Sequence, residues 1–125
     1  MSYSPFLVGR MLALADTLHK EYCQHVRKGE IPPQLIGNAL MPTALNNPTA
    51  GLARLSERIA PYQGWANTVV GEGVGLAKWA LQRLGSVTEE LGKQTLPEQC
   101  KDADKAQMLL GYLARIEAGA SDRAN

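Results

Sequence analysis

The feature that most restricts this chain is an apolar residue every three or four positions, recurring in separate stretches along most of its length. Leu7, Met11, Leu14, Leu18 and Tyr22 follow at spacings of four, three, four and four, which places them on one stripe of a helix. Asp16, Lys20 and Arg27 project from the opposite side of that stripe. Leu52, Leu55 and Ile59 form a second stripe. Val70, Val74, Ala77, Leu81, Leu84, Val87 and Leu91 form a third, and Ala106, Leu109, Leu110 and Leu113 a fourth. A half-buried strand needs strict alternation, and no segment supplies it. The expected fold is all-α, a compact bundle of four main helices plus one or two short ones. A chain of 125 residues can bury one core. Residues 1–118 therefore read as one domain, and the small, polar stretch 119–125 as a disordered tail.

Helix boundaries follow from local chemistry. Ser4 before Pro5 is an N-cap followed by the residue that suits the first helical position. Arg27-Lys28-Gly29 ends that helix, with basic residues in the last turn and a glycine beyond it. The connection 29–48 carries Pro32, Pro33, Pro42 and Pro48, with room for a short helix from Gln34 to Leu40. Asn47 can cap the next helix, with Pro48 in its first position. Ala60-Pro61 is expected to interrupt that helix, leaving a short segment around Tyr62–Trp65. Gly71, Gly73, Gly75 and Gly85 weaken the third pattern by roughly 1 kcal/mol each where they are mid-helix and exposed. Leu96-Pro97 closes that region, and the last helix is expected over Asp102–Ile116.

Aromatics are only 6% of the chain, with a single Phe, so the core must be mainly aliphatic. Net charge is +1, which excludes the strongly basic profile of a free-standing DNA-binding domain. Residues 1–88 hold eight Lys/Arg against five Asp/Glu, and residues 89–125 hold five against seven. A polyanionic partner would meet the first two-thirds. Cys23 and Cys100 form no CxxC pair and read as buried free thiols, with one disulfide as the alternative. The start, Met-Ser-Tyr-Ser-Pro, lacks a basic, apolar signal peptide. No apolar run approaches the roughly 20 residues of a membrane span, so a cytoplasmic protein without membrane partners is expected.

The sequence shows no catalytic machinery. His19 and His25 are six apart, which turns them to different sides of a helix, and no Asp, Glu or Cys completes a metal-ligand pattern with them. Val70-Gly71-Glu72-Gly73-Val74-Gly75-Leu76 lacks the third glycine of the dinucleotide fingerprint, and no strand precedes it. Glu89-Glu90 reads as a solvated pair. No catalytic residue, metal or cofactor is expected.

Three stretches carry a family resemblance. Pro5 to Leu14, reading PFLVGRMLAL, is an aromatic-Leu-x-Gly-Arg-hydrophobic run opening a long helix. Ala44 to Ser56, reading ALNNPTAGLARLS, is a small-polar-Pro turn followed by a helix with an Arg-Leu-Ser end. Gln107 to Arg115, reading QMLLGYLAR, is a terminal helix with a Gly-Tyr pair. In this order they resemble the small subunit of the type I CRISPR Cascade effector complex. They are most like the C-terminal helical domain of the type I-C large subunit, which is also produced separately as the small subunit. Asn46-Asn47 stands where that family usually has Ser or Ala, and the aromatic-Pro pair that follows there is missing. Leu113-Ala114 replaces an aromatic and a His. A start at Met1 just before the first helix fits a separately translated subunit.

The resemblance implies a non-catalytic role. Such subunits line the inner face of the ribonucleoprotein in more than one copy, beside the effector backbone and large subunits. They help hold the guide RNA–target DNA hybrid and the displaced non-target DNA strand, and a separate helicase-nuclease does the cutting.

Holding a strand without reading it requires cations spaced along a surface, because guide–target pairing supplies the sequence. Lys20, Arg27 and Lys28 lie off the first apolar stripe, Arg54 and Arg58 sit four apart, and Lys78 with Arg83 form a third set. These seven are the candidate nucleic-acid contacts, although any of them also serves as an ordinary solvated residue. Few contacts per copy bind weakly and with strong salt dependence, and repetition along a complex multiplies them. Arg10, beside Gly9, is a candidate for a buried ion pair or a subunit contact. Trp79 could stack on Arg83 or lie at an interface, whereas Tyr62 and Trp65 read as packing residues. The rival readings are a helical protein–protein interaction or adaptor module without nucleic-acid binding, and an enzyme fragment needing a partner chain.

Overall fold

Ser4 and Pro5 open the first helix as the sequence predicts. In the computed structural model, which describes residues 3–114, the Ser4 hydroxyl accepts from the Leu7 N–H at 3.2 Å and α1 runs over Pro5–Val26. At its other end the Gly29 N–H donates to the Cys23 carbonyl at 3.0 Å, with Lys28 and Gly29 both at positive φ. The remaining helices are α2 (Ile36–Asn46), α3 (Pro48–Thr68), α4 (Gly75–Gly92) and α5 (Asp102–Leu113). No strand occurs among the described residues. The expected tail at 119–125, and the end of the last helix at Ile116, lie outside the described residues.

The fold is an all-helical bundle with α1 at its centre, in contact with each of the other four helices. That position changes the reading of α1. Its apolar stripe was expected to face one side only, yet Val8, Leu12, Ala13, Ala15 and Asp16 are as buried as Leu14 and Leu18. A helix contacted by four others buries more than one stripe, polar residues included. Asp16 therefore points into the protein rather than to solvent.

Two prolines sit inside helices. Pro61 was expected to break the third helix, but α3 continues through it, absorbing the segment Tyr62–Trp65. Pro42 likewise lies within α2, which extends past the expected end at Leu40. Each proline removes one i→i−4 bond, from the carbonyls of Glu57 and Asn38. Both residues, and both prolines, are exposed, so water can satisfy the freed carbonyls. Leu55, Ile59 and Ala66 stay on the buried face across Pro61, and their packing outweighs the lost bond.

Asn47 caps α3 as expected, accepting from the Ala50 N–H at 3.0 Å. The Leu35 side chain cannot cap α2, and α1 supplies the cap instead. The Asp16 Oδ1 accepts from the Gly37 N–H at 2.6 Å and the Asn38 N–H at 3.3 Å. The His19 Nδ1 accepts from the Ile36 N–H at 3.2 Å. Three orphan donors of the α2 first turn are thus met by a neighbouring helix.

Helix α4 begins only at Gly75. Val70, expected to lead its apolar stripe, is 85% exposed in the connection, where Gly71 and Gly73 take positive φ. Helix α5 buries Met108, Gly111 and Tyr112, not the expected Ala106, Leu109, Leu110 and Leu113, which are exposed. The cause is a close crossing with α1. A Cβ at Gly111 would lie 2.0 Å from the Phe6 carbonyl oxygen, and one at Gly9 would lie 1.9 Å from that of Met108. The α5 face bearing its glycine is the one that can approach so closely. Both cysteines are free thiols, with Cys23 buried and Cys100 half-buried.

The His19 cap has a pH consequence. Burial pushes its pKa below the ordinary value of 6.5, outweighing the upward pull of Asp16, while Arg27 adds to the depression. The unfolded chain then binds a proton more readily than the folded one below that value. His19 contributes its full stability above about pH 6.5 and loses it as pH falls from there through the folded pKa. Thermal unfolding should show a lower Tm at pH 5.5 than at pH 7.5. His19→Gln, which keeps an acceptor but cannot titrate, should flatten that difference, and an unchanged pH profile in this variant would refute the assignment.

Candidate nucleic-acid interface

The seven cations singled out in the sequence separate into two groups once folded. Lys20, Arg27 and Lys28 are exposed on the second half of α1 and the turn after it. Arg54 and Arg58 are exposed one turn apart on α3. These five are open to an anionic partner. Arg27 lies 4.0 Å from Glu30, but both side chains are largely exposed and such a pair holds weakly. Arg27 also acts electrostatically on His19 and Tyr62, which places it at the seam between α1 and α3.

The other residues have structural surroundings. Lys78 was expected as a phosphate contact, but its Nζ donates to the Ala66 carbonyl at 2.7 Å and lies 3.4 Å from that of Asn67. It stands over the last turn of α3, where the helix dipole is negative and carbonyls lack intrahelical partners. Arg83 is half-buried rather than projecting freely. Arg10 is only 4% exposed, which removes it from any subunit surface and leaves it inside the fold. Trp79 is partly buried against the aliphatic core, so its exposed remainder is what an interface could use.

Sequence reasoning missed one cluster. His19, Tyr22 and His25 of α1 face Tyr62 and Trp65 of α3. His19 and Tyr62 stack at 4.6 Å between ring centroids, with a 26° angle between planes. Tyr22 meets Tyr62 at 4.9 Å and Trp65 at 5.6 Å, edge-on in both cases. His25 lies 5.7 Å from Trp65, tilted by 39°. Burial pushes the Tyr62 hydroxyl pKa upward, and the charges of Cys23 and Tyr22 reinforce that shift against the opposing pull of Arg27. The available signal was the three-residue spacing of 19, 22 and 25, matched by 62 and 65. Nothing in the sequence alone pairs those two helices.

Two apolar features complete the surface. A cavity of about 410 Å³ opens between α1, α3 and α4, lined chiefly by Met11, Leu55, Ile59, Leu84, Leu91 and Leu96. On α5, Leu109, Leu110 and Leu113 are 40%, 53% and 69% exposed, a stripe facing away from the core. Among the described residues no cluster of three or more His, Cys, Asp or Glu could hold a metal, and no helix is long and apolar enough to cross a membrane. Comparison with protein families, with curated proteins and with solved structures returns no match for the chain.

Proposed function

We propose that the chain is a non-catalytic, cytoplasmic small subunit of a type I CRISPR Cascade surveillance complex. It lines the inner face beside the backbone and large subunits and further copies of itself. Through its basic surface it steadies the guide RNA–target DNA hybrid and the displaced non-target strand. The observation that carries this reading is the set of five exposed cations, Lys20, Arg27 and Lys28 on α1 and its turn and Arg54 and Arg58 on α3. Cations spaced over two helices suit a phosphate backbone better than any base edge.

The family resemblance gives further support, because its three stretches include glycines at close helix approaches. Gly9 and Gly111 occupy the α1–α5 contact, and a Cβ at Gly51 would lie 2.7 Å from Ala44.

The test is a salt titration of single-stranded DNA binding, for the chain alone and within a co-purified effector complex. Arg54→Gln with Arg58→Gln should reduce the slope of log affinity against log salt by roughly 1.4, about 0.7 per phosphate contact on a single strand. Lys78→Met should leave the slope unchanged, because that ammonium serves the α3 carbonyls. Absent or salt-insensitive binding in both settings would overturn the proposal. A protein-docking module is then the better reading, and the exposed leucine stripe of α5 is the observation that favours it.

A further inference from the structure

The core of this protein is aliphatic, yet three of its seven aromatic residues and both histidines gather at one seam. Of these five residues only His19 is buried. Tyr22, Tyr62 and Trp65 are half-buried and His25 is exposed. The rings thus lie at the rim, where α1 and α3 end and the α3–α4 connection passes. Gly73 of that connection stands so close to His25 that a Cβ there would be 3.5 Å from the imidazole.

We propose that the outer part of this seam, Trp65 with His25, is a stacking platform for one unpaired nucleobase of a bound single strand, with Arg27 and Lys28 on the adjoining phosphates. The inference rests on the nucleic-acid reading above and assigns it a second, uncharged component.

Ring geometry distinguishes two parts of the seam. His19 and Tyr62 already satisfy each other by stacking, and Tyr22 closes against Tyr62 edge-on. Trp65 receives only an edge-on ring from Tyr22 and a tilted one from His25. Among the described residues no ring lies parallel on its indole, which is half-buried and packs in part against the core, and a base would add that contact on its exposed part. Arg58 lies on the same α3 face as Tyr62 and Trp65, at spacings of four and seven residues. A strand passing over the seam would therefore meet a cation before the rings, at Arg58, and cations after them, at Arg27 and Lys28.

Charge is partly offset at this seam. Glu30 stands 4.0 Å from Arg27, and Glu21 stands 3.8 Å from His25. These acids lower the local positive balance, so a base-dependent contact adds to the grip of the cations. Stacking is indifferent to base identity, which suits a displaced strand of arbitrary sequence. It also releases no counterions, so its contribution should survive salt that weakens the phosphate contacts.

The experiment compares an oligothymidylate with an abasic oligonucleotide of the same length and charge, binding to the full chain at low and moderate ionic strength. The expected result is about tenfold tighter binding of the thymidylate, the scale of one stacked base, with that ratio maintained as both affinities fall with salt. Trp65→Leu should bring the thymidylate down to the abasic affinity, while Trp65→Phe keeps most of the preference. In a Trp79→Phe background, where Trp65 is the remaining indole, the thymidylate should quench fluorescence and the abasic strand should not. Equal affinities in the unaltered protein would overturn the platform and leave the cationic surface standing. Retention of the preference in Trp65→Leu would also overturn it. Failure of both strands to bind the full chain at low ionic strength would overturn the platform, and the same failure within the co-purified complex would overturn the nucleic-acid reading as well.

Discussion

Gly9→Ala should destabilise the fold by about 3 kcal/mol or more, an unusually large effect for the addition of one methyl group. The new Cβ would sit 1.9 Å from the Met108 carbonyl oxygen, 2.7 Å from the Tyr112 nitrogen and 2.9 Å from the Met108 carbonyl carbon. All three are backbone atoms of α5, so no side-chain rotation can relieve the clash. The helices must part instead, and parting them uncovers Val8 and Leu12 on α1 and Met108 and Tyr112 on α5, residues now 9% exposed or less. Domains of this kind hold only about 5–15 kcal/mol in total. At about 4 °C per kcal/mol for a chain of this length, the Tm should fall by about 12 °C. Gly85→Ala is the internal control. Gly85 is exposed in the interior of α4 with nothing within 4 Å of its would-be Cβ, so the same change should stabilise by up to about 1 kcal/mol through helix propensity. If the two variants melted together, the α1–α5 crossing would not have the closeness described.

That crossing also explains why the sequence misleads about α5. Its periodicity offers two apolar faces, Ala106-Leu109-Leu110-Leu113 and Met108-Gly111-Tyr112, and the first is the more hydrophobic. The second is buried because its glycine meets the α1 backbone and its tyrosine hydroxyl meets Asp16. Both reasons are tertiary. Features decided within one turn of chain are legible beforehand: the Ser4-Pro5 and Asn47-Pro48 starts, the Gly29 stop and the glycine-weakened approach to α4. Pro42 and Pro61 mislead because the buried faces of α2 and α3 continue across them, and that packing, with water at the exposed carbonyls, offsets the cost of an interior proline.

The candidate site divides in the same way. Lys20, Arg27, Lys28, Arg54 and Arg58 are exposed as their positions off the apolar stripes suggest, although Asp16, equally off the stripe, is buried. Lys78 and Arg10 have the same residue types and comparable spacing, but one caps α3 and the other lies inside the bundle. Composition cannot distinguish a solvated cation from one held by a carbonyl at a distant helix end. The aromatic seam was hidden for a related reason: its halves are about forty residues apart, and each looks like ordinary packing alone.

Asp16→Ala should cost about 3–5 kcal/mol, because two buried donors lose their acceptor at about 1–3 kcal/mol each and a third, part-buried donor loses it as well. Asp16 is 1% exposed and joins three helices. Its Oδ1 receives the Gly37 and Asn38 N–H groups of α2, and its Oδ2 receives the Tyr112 hydroxyl of α5. Alanine would withdraw the acceptor from these three donors, of which the Gly37 N–H and the Tyr112 hydroxyl are buried. Helix α2 should feel the loss most, because the Leu35 side chain supplies no cap of its own. Asp16→Asn is expected to cost less. Its carbonyl oxygen can still face Gly37, and the Tyr112 hydroxyl can rotate to accept from the new amide. Tyr112→Phe should cost about 1–2 kcal/mol, and combining it with Asp16→Ala should cost less than the sum, since the alanine has already broken the shared bond. Denaturant midpoints at constant m would give these values. Amide exchange at Gly37 and Asn38 should accelerate in Asp16→Ala before exchange in the α1 interior does, as expected if α2 detaches as a local unit. A loss below 1 kcal/mol with uniform exchange would mean that packing alone holds α2 against α1 and that the buried carboxylate is dispensable to the fold.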